Sequence, residues 1–293
     1  TGTNATQNNN YKVGLNVAAP VNDFVKLNTR FLVSSGTGDF ASLETSDNGD
    51  SNVDVELSNV YFGYTGIKNT TVNVGKQGLT TPWTVATQID GNEQTGTGIL
   101  ALSTFENVTL AAAYFNQTNL DNSDYAATLN ALSPNGEAGS RDIITVGAIA
   151  NLDFVTLDAW YLDLAETFDS YTVGAKADID LTDVKLGLDT RFASLNADRL
   201  TTDNQMAKIA LTAKAGIVNG KVAYAWTDKE GGLTALDNDA NTTLLGWNLT
   251  SNNKADADYW QAVIGVDILS NLNLSANYGN LDYVEGTTSL EEE

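Results

Sequence analysis

Residues 171–179 read Tyr171-Thr172-Val173-Gly174-Ala175-Lys176-Ala177-Asp178-Ile179. In an extended chain Tyr171, Val173, Ala175, Ala177 and Ile179 share one side, and Thr172, Gly174, Lys176 and Asp178 share the other. A period of two with one apolar and one polar side is the signature of a strand between two different media. The polar side here carries a lysine and an aspartate in mid-strand. After a break at 181–183 the pattern resumes: Val184, Leu186, Leu188 and Phe192 alternate with Lys185, Gly187, Asp189 and Arg191. After 195–204 it resumes again, with Ala207, Ile209, Leu211 and Ala213 against Lys208, Ala210, Thr212 and Lys214.

Working outward, the same lettering covers most of the chain. About fourteen segments, each roughly 9–13 residues long, can be counted. Short turns fall near 20–23, 66–69, 105–107, 151–153, 181–183, 218–220 and 269–271. Longer connections fall near 34–52, 78–95, 117–140, 164–169, 195–204 and 228–256. Short turns on one rim and long loops on the other are how a membrane β-barrel is written. A soluble β-sandwich would also alternate, but its charged face would be the wet exterior. Here small apolar residues suit a lipid-facing wall, and the charged side suits a water-filled interior.

The fold expected is therefore all-β: a transmembrane antiparallel β-barrel, with residues 1–293 forming a single outer-membrane barrel domain. About fourteen strands are visible, a permitted even number. The end Ser289-Leu290-Glu291-Glu292-Glu293 reads as lacking a closing strand and a terminal aromatic residue. A terminal strand is then missing at either end, or strands are hidden in 117–140 and 228–256.

Two segments break the alternation. In 52–66, Val53, Val55 and Leu57 have one parity and Val60, Phe62 and Tyr64 the other. A β-bulge near Ser58 explains this; contact of one end with a loop or another subunit explains it equally. In 154–164, Leu157, Trp160, Tyr161 and Leu162 crowd together, which fits a protomer contact or an aromatic girdle.

Composition narrows the function. The 293 residues carry a net charge of -22, with 15 basic and 37 acidic side chains, no His and no Cys. That removes Cys/His zinc sites, thiol nucleophiles and a Ser-His catalytic route, and disfavours nucleic acid as a partner. No enzyme is read here. Hydrophobic content is 42% and mean hydropathy -0.18. That hydropathy is no obstacle, because a barrel strand needs an apolar residue only at alternate positions.

One connection is unlike an outer loop. Residues 75–98 run Gly75-Lys76-Gln77-Gly78-Leu79-Thr80-Thr81-Pro82-Trp83-Thr84, then Val85 to Ile89, then Asp90-Gly91-Asn92-Glu93-Gln94-Thr95-Gly96-Thr97-Gly98. Leu79, Pro82, Trp83, Val85 and Ile89 need a surface to lie on, and the inside of the barrel wall supplies one. Asp90 and Glu93 would then project toward the axis, although Asp90-Gly91 also reads as a plain turn. The acidic stretches Asp47-Asn48-Gly49-Asp50 and Asp237-Asn238-Asp239 lack the spacing of a calcium loop and read as solvated surface.

The Gly-Lys-Gln…Trp-Thr…Ile-Asp-Gly…Gly-Thr-Gly pattern resembles the third-loop region of the major outer membrane porin of Campylobacter and its relatives. Asn59-Val60-Tyr61-Phe62-Gly63-Tyr64-Thr65 and Val108-Thr109-Leu110-Ala111-Ala112-Ala113-Tyr114-Phe115 resemble the strands on either side of it. Residue matches extend over 55–117, and the hairpin layout agrees over most of the chain. The resemblance implies an eighteen-strand homotrimer in the outer membrane of a Gram-negative bacterium, among lipid and lipopolysaccharide, and it alone implies about sixteen to eighteen strands in the complete protein. It implies a third loop folded inward, a preference for cations, and a bound calcium ion. Applied here, Asp90, Glu93 and Trp83 form the pore constriction, and Asp90 is the calcium candidate.

The expected activity is passive diffusion of small hydrophilic solutes and cations through a water-filled channel. Lys26, Arg30, Lys176, Lys185, Arg191, Lys208 and Lys214 would oppose Asp54, Glu56, Asp178 and Asp189 across the lumen. The alternatives are a substrate-specific outer-membrane channel and a non-channel β-rich surface protein or adhesin. A specific channel would show an aromatic track along the lumen, whereas Trp226 and Trp260 fall by alternation on the lipid side.

Overall fold

A computed structural model describes residues 10–34, 41–42, 54–118 and 120–293. In chain order the strands begin with β1 (Asn10–Tyr11), β2 (Val13–Pro20), β3 (Val25–Ser34), β4 (Ala41–Ser42) and β5 (Asp54–Ile67). Next come β6 (Thr70–Gln77), β7 (Gly96–Phe105), β8 (Val108–Gln117), β9 (Ile143–Leu152), β10 (Val155–Leu164) and β11 (Phe168–Asp180). The last are β12 (Val184–Ala197), β13 (Asp203–Ala215), β14 (Val218–Thr227), β15 (Ala255–Leu269), β16 (Leu272–Glu285) and β17 (Thr288–Glu292). A short helix, α1 (Ala126–Leu132), lies between β8 and β9.

β1 pairs with β4, and the other strands form one 15-stranded sheet in sequence order, with β2 and β17 at its edges and no closure between them. Each pairing in it is antiparallel, so the sheet is a meander of hairpins. Two-residue turns at Lys68-Asn69, Glu106-Asn107, Asp153-Phe154 and Gly216-Ile217 join neighbours on one rim. In each turn one residue takes a positive φ: Asn69 60°, Glu106 50°, Asp153 56° and Gly216 56°. At Glu106, Asp153 and Gly216 the positive φ falls on the first turn residue, a backbone that matches the right-handed twist of the strands joined.

The two faces of the sheet differ as the alternation requires. Val173, Ile209, Leu211, Trp260 and Leu274 stand exposed on the outer face. Thr172, Arg191, Ala193, Ala223 and Gln261 are buried on the inner face. The long connections 78–95, 118–142 and 228–254 lie against that inner face. They bury Trp83, Leu120, Leu129, Leu233 and Leu236 together with the inward residues Phe115, Ile143, Leu162, Leu164, Phe168 and Leu195. This cluster explains the crowding in 154–164. Trp160 and Leu162 turn inward to the loops while Leu157 and Tyr161 stay exposed outside, so both sides of that strand end are apolar.

The phase break in 52–66 is a bulge. β3 and β5 pair Arg30 with Asn59 and then Phe31 with Leu57, which leaves Ser58 as the extra residue. Three expectations are corrected. Residues 164–169 are a tight turn, because Glu166 at φ 56° lets Leu164 pair directly with Phe168. Residues 288–292 form a strand after all: Gly286 at φ 63° reverses the chain, and Glu285 pairs with Thr288. The connections 118–142 and 228–254 hide no strand of the sheet; their backbone forms short helical turns and one isolated bridge between Leu245 and Thr250.

Charge on the two faces should have opposite consequences. Ile209→Arg, on the outer face near the middle of β13, is expected to destabilise the protein in lipid vesicles by about 2–4 kcal/mol. Thr212→Lys, on the inner face, should cost less than about 1 kcal/mol, because the lumen is wet. Urea titration of the folded protein in vesicles measures both.

Candidate functional site

The inner face is organised by strand register. Asp158 pairs across β10 and β11 with Gly174, and Gly174 pairs with Arg191 on β12. Arg191 pairs in turn with Lys208 on β13. Gly174 makes the row work: a Cβ there would run into the Arg191 guanidinium and the Asp158 carboxylate. Over the bare glycine Arg191 reaches Asp158 with two bonds of 2.8 and 2.7 Å, and a further bond of 3.2 Å to the Thr172 hydroxyl. The pair is almost fully buried, with side-chain exposures of 3% and 11%. Sequence reading named Arg191 but missed Asp158, since the crowded lettering of β10 hid its inward side.

The next row toward the short-turn rim carries Lys176 and Asp189, 3.7 Å apart. Lys185 pairs with Asp180 at 2.9 Å, and Lys214 with Asp267 at 2.8 Å. Lys208 donates to the Thr243 carbonyl at 2.9 Å, which ties the wall to the 228–254 connection. Lys221, also missed in the sequence, donates to Gln261 at 3.0 Å. Asp178 and Lys26 are exposed and lie opposite glycines, Gly187 and Gly63. Glu56 is half-buried opposite Leu32. Asp54 begins β5 opposite Ser34, and its side chain lies outside the description.

The 78–95 connection folds against this wall as expected, but its named residues do different jobs. Trp83 is fully buried, and its indole N–H donates to the Ser170 hydroxyl at 2.8 Å. It anchors the loop rather than lining an opening. Asp90 is exposed at the tip, where its two carboxylate oxygens accept the Asn92 backbone N–H at 2.9 Å and side-chain amide at 3.0 Å. With Gly91 at φ 88° and Thr87 bridged to Glu93, Asp90 closes a tight turn. Glu93 points to the wall. It accepts from Arg30 at 2.8 Å and from the Ser58 hydroxyl, the side chain that the bulge turns inward. Lys12 holds the tip from β2's side through the Gly91 carbonyl at 2.6 Å.

The third support is Asp237, which sequence reading placed on a solvated surface. It is completely buried. Its carboxylate accepts the Val85 backbone N–H at 3.2 Å, the Gln88 amide at 3.0 Å and the Gln94 amide at 2.5 Å. Burial pushes it up to about 6, against these bonds, which pull the other way; the nearby Asp124 pushes it up further. Asp239 is also raised, by burial first and then by Asp124 and Asp90. Around Asp237 the backbones are stitched together: Leu236 N–H to the Trp83 carbonyl at 2.9 Å and Thr242 N–H to the Pro82 carbonyl at 3.0 Å. Tyr125 adds a bond of 2.6 Å to Asn238. A run of apolar residues just before Asp237 (Leu233, Ala235, Leu236) is the sequence signal that could have located it. Asp47 to Asp50 lie outside the described residues.

Calcium wants about six to eight oxygen ligands. Asp90 directs both its oxygens to Asn92, and among the described residues no group of three or more acidic side chains is placed to hold a metal ion. The described residues as arranged do not make such a site.

Comparison with known proteins gives a consistent result. The sequence model of the Campylobacter major outer membrane protein family matches residues 2–292. No curated protein sequence matches the chain. Among solved structures, OpdK of Pseudomonas aeruginosa, solved with vanillate, aligns with a TM-score of 0.74 at 15% identity, over 96% of this chain and 78% of that one. OccAB3 of Acinetobacter baumannii aligns at 0.73 and 13% identity, over 96% and 79%. The outer membrane protein OprD from Pseudomonas aeruginosa aligns at 0.72 and 16% identity, over 96% and 70%. These likenesses show an outer-membrane β-barrel fold.

The buried anchors should be costly to remove. Trp83→Ala is expected to destabilise by about 3–5 kcal/mol through the cavity that it leaves, and Trp83→Phe by about 1 kcal/mol through the lost bond to Ser170. Asp158→Ala should cost about 3–5 kcal/mol, because it strands Arg191 in a dry wall. Denaturant midpoints with an unchanged transition slope would measure all three.

Proposed function

The chain belongs to the Campylobacter major outer membrane protein family, and on that premise we propose that it is a general diffusion porin whose channel favours cations. It resides in the outer membrane, and its barrel carries water and small hydrophilic solutes across. The observation that carries the selectivity is how the lumen charges are used. Arg30, Lys176, Lys185, Arg191 and Lys214 are each held in an ion pair with an acid. Asp90, Asp124 and Asp239 surround the inward loop, and among the described residues none of them is in an ion pair. Those five cations are paired while the three acids beside the loop are in no ion pair, which leaves a negative potential at the narrow zone that enriches cations and repels anions. The inward loop supplies the constriction. Its outline there is set by Ile89, Asp90 and Gly91, and its position by Trp83 and Glu93. The proposed assembly is a homotrimer among lipid and lipopolysaccharide, supported by the family resemblance; native mass spectrometry in detergent would read it directly.

A substrate-specific channel is the second reading. OpdK was solved with vanillate, and OccK2 (OpdF) of Pseudomonas aeruginosa with glucuronate. Both are small carboxylates. Lys208 and Lys221 on the wall here are bonded to neutral oxygens rather than to acids, so such a solute would have no ion pair to break at either.

Planar bilayers under a KCl gradient test the two together. Stepwise conductance with a cation-favouring reversal potential is expected, and the triple change Asp90→Asn, Asp124→Asn, Asp239→Asn should move that potential toward zero. An unaltered potential would sink the assignment of selectivity to these acids. Block of the current by glucuronate at low concentration, abolished by Lys208→Gln with Lys221→Gln, would replace the general reading by the specific one. Folded protein that never conducts would remove both.

A further inference from the structure

The inward loop is gripped on two sides by carboxylates of unlike character. On the wall side Glu93 meets a guanidinium, Arg30, and a hydroxyl, Ser58. On the other side Asp237 meets only neutral donors: one backbone N–H and two carboxamides, of Val85, Gln88 and Gln94. Asp237 lies 143 to 152 residues along the chain from those donors, so it joins two separate connections across the lumen. It is also fully buried. The charged groups that face it are acids. Asp124 acts on it from the segment after β8, and Asp124 and Asp90 act in turn on Asp239, two residues along the chain.

We propose that Asp237 is the positioning residue that fixes the constriction loop across the lumen, and that the latch it forms tightens when it takes up a proton. The sign follows from linkage. Asp237 titrates near 6 in the latched loop, well above a solvated aspartate. The latched state therefore binds the proton more strongly than the released state does. Stabilisation of the latch is greatest below the solvated value and is lost as pH rises through about 6. A neutral carboxyl still accepts the Val85 N–H, and one of the two carboxamides can turn to accept its single proton while the other goes on donating. Above that range an ionised group is confined among acids in a dry pocket, and the loop is freer to leave. In a conducting channel the result is a constriction that is steadier in acid and noisier at neutral pH.

The inference rests on the channel reading for its consequence, but its first test does not need conductance. Hydrogen exchange in residues 85–94 is followed from pH 7.5 to 5 in chelator-containing buffer, corrected for the intrinsic pH dependence of exchange. Protection in the full chain should be about tenfold higher at pH 5 than at pH 7.5. Asp237→Asn should show protection that is flat with pH. Asp124→Asn, which removes the facing charge and keeps a side-chain oxygen for the Asn238 N–H, should move the midpoint below that of the unaltered chain. Glu93→Gln should keep the slope. A flat profile in the unaltered chain would overturn the proposal, as would an unaltered slope in Asp237→Asn or an unmoved midpoint in Asp124→Asn. A protein that shows the exchange slope and yet never conducts would leave the latch standing and remove the porin reading instead.

Discussion

A backbone amide in hydrocarbon has no water to bond with, so each must find its partner in a neighbouring strand. That constraint explains why the sheet is a continuous antiparallel meander from β2 to β17, why its turns are so tight, and why the side chains alternate between two media. In mid-strand it also sends the charges inward, and outward acids such as Asp163, Asp169 and Asp258 stand near the loop-side strand ends. Charges such as Lys176, Arg191 and Lys208 sit on the inner side of strands whose outer side presents Val173, Leu211 and Ile209.

The same constraint relocates the hydrophobic core. A soluble protein packs its sheet's apolar face on itself; here that face is given to lipid. The packed interior is built instead from three connections and the loop-side ends of the inner wall, around Trp83, Phe115, Leu129 and Leu236. Backbone without a strand partner lies there, so side chains must satisfy it. Asn252 accepts the N–H groups of Thr234 and Ala235 and donates to the Ala235 carbonyl. Ser123 does the same for the Leu236 carbonyl. Buried polar residues in these loops are thus structural replacements for a hydrogen-bond ladder.

How much was legible in the sequence follows from this division. Strand faces and the phase slip near Ser58 could be read directly, because a period of two is a local property, but that the slip is a bulge and not a contact is decided by the pairing of β3 with β5. The inward fold of 78–95 was legible from Trp83 and its apolar neighbours. What was not legible depended on distant partners. Glu93 read as an acid for the axis, but Arg30 and Ser58, 63 and 35 residues away, draw it to the wall. Asp237 read as solvated because Asp-Asn-Asp is a surface word; its donors are on another loop altogether. The strand at Thr288–Glu292 was missed because Ser-Leu-Glu-Glu offers no apolar stripe, and only its pairing with β16 defines it.

The separation of these partners along the chain has a kinetic consequence. Neighbouring hairpins close through contacts a few residues apart, whereas the bonds that seat the loops join residues as far apart as Pro82 and Thr242, separated by 160 positions. Short loops close before long ones because less chain entropy is lost. The hairpins of the wall therefore form before the inward connections are seated, so a newly inserted molecule passes through a stage in which its inner face is barer than in the finished protein.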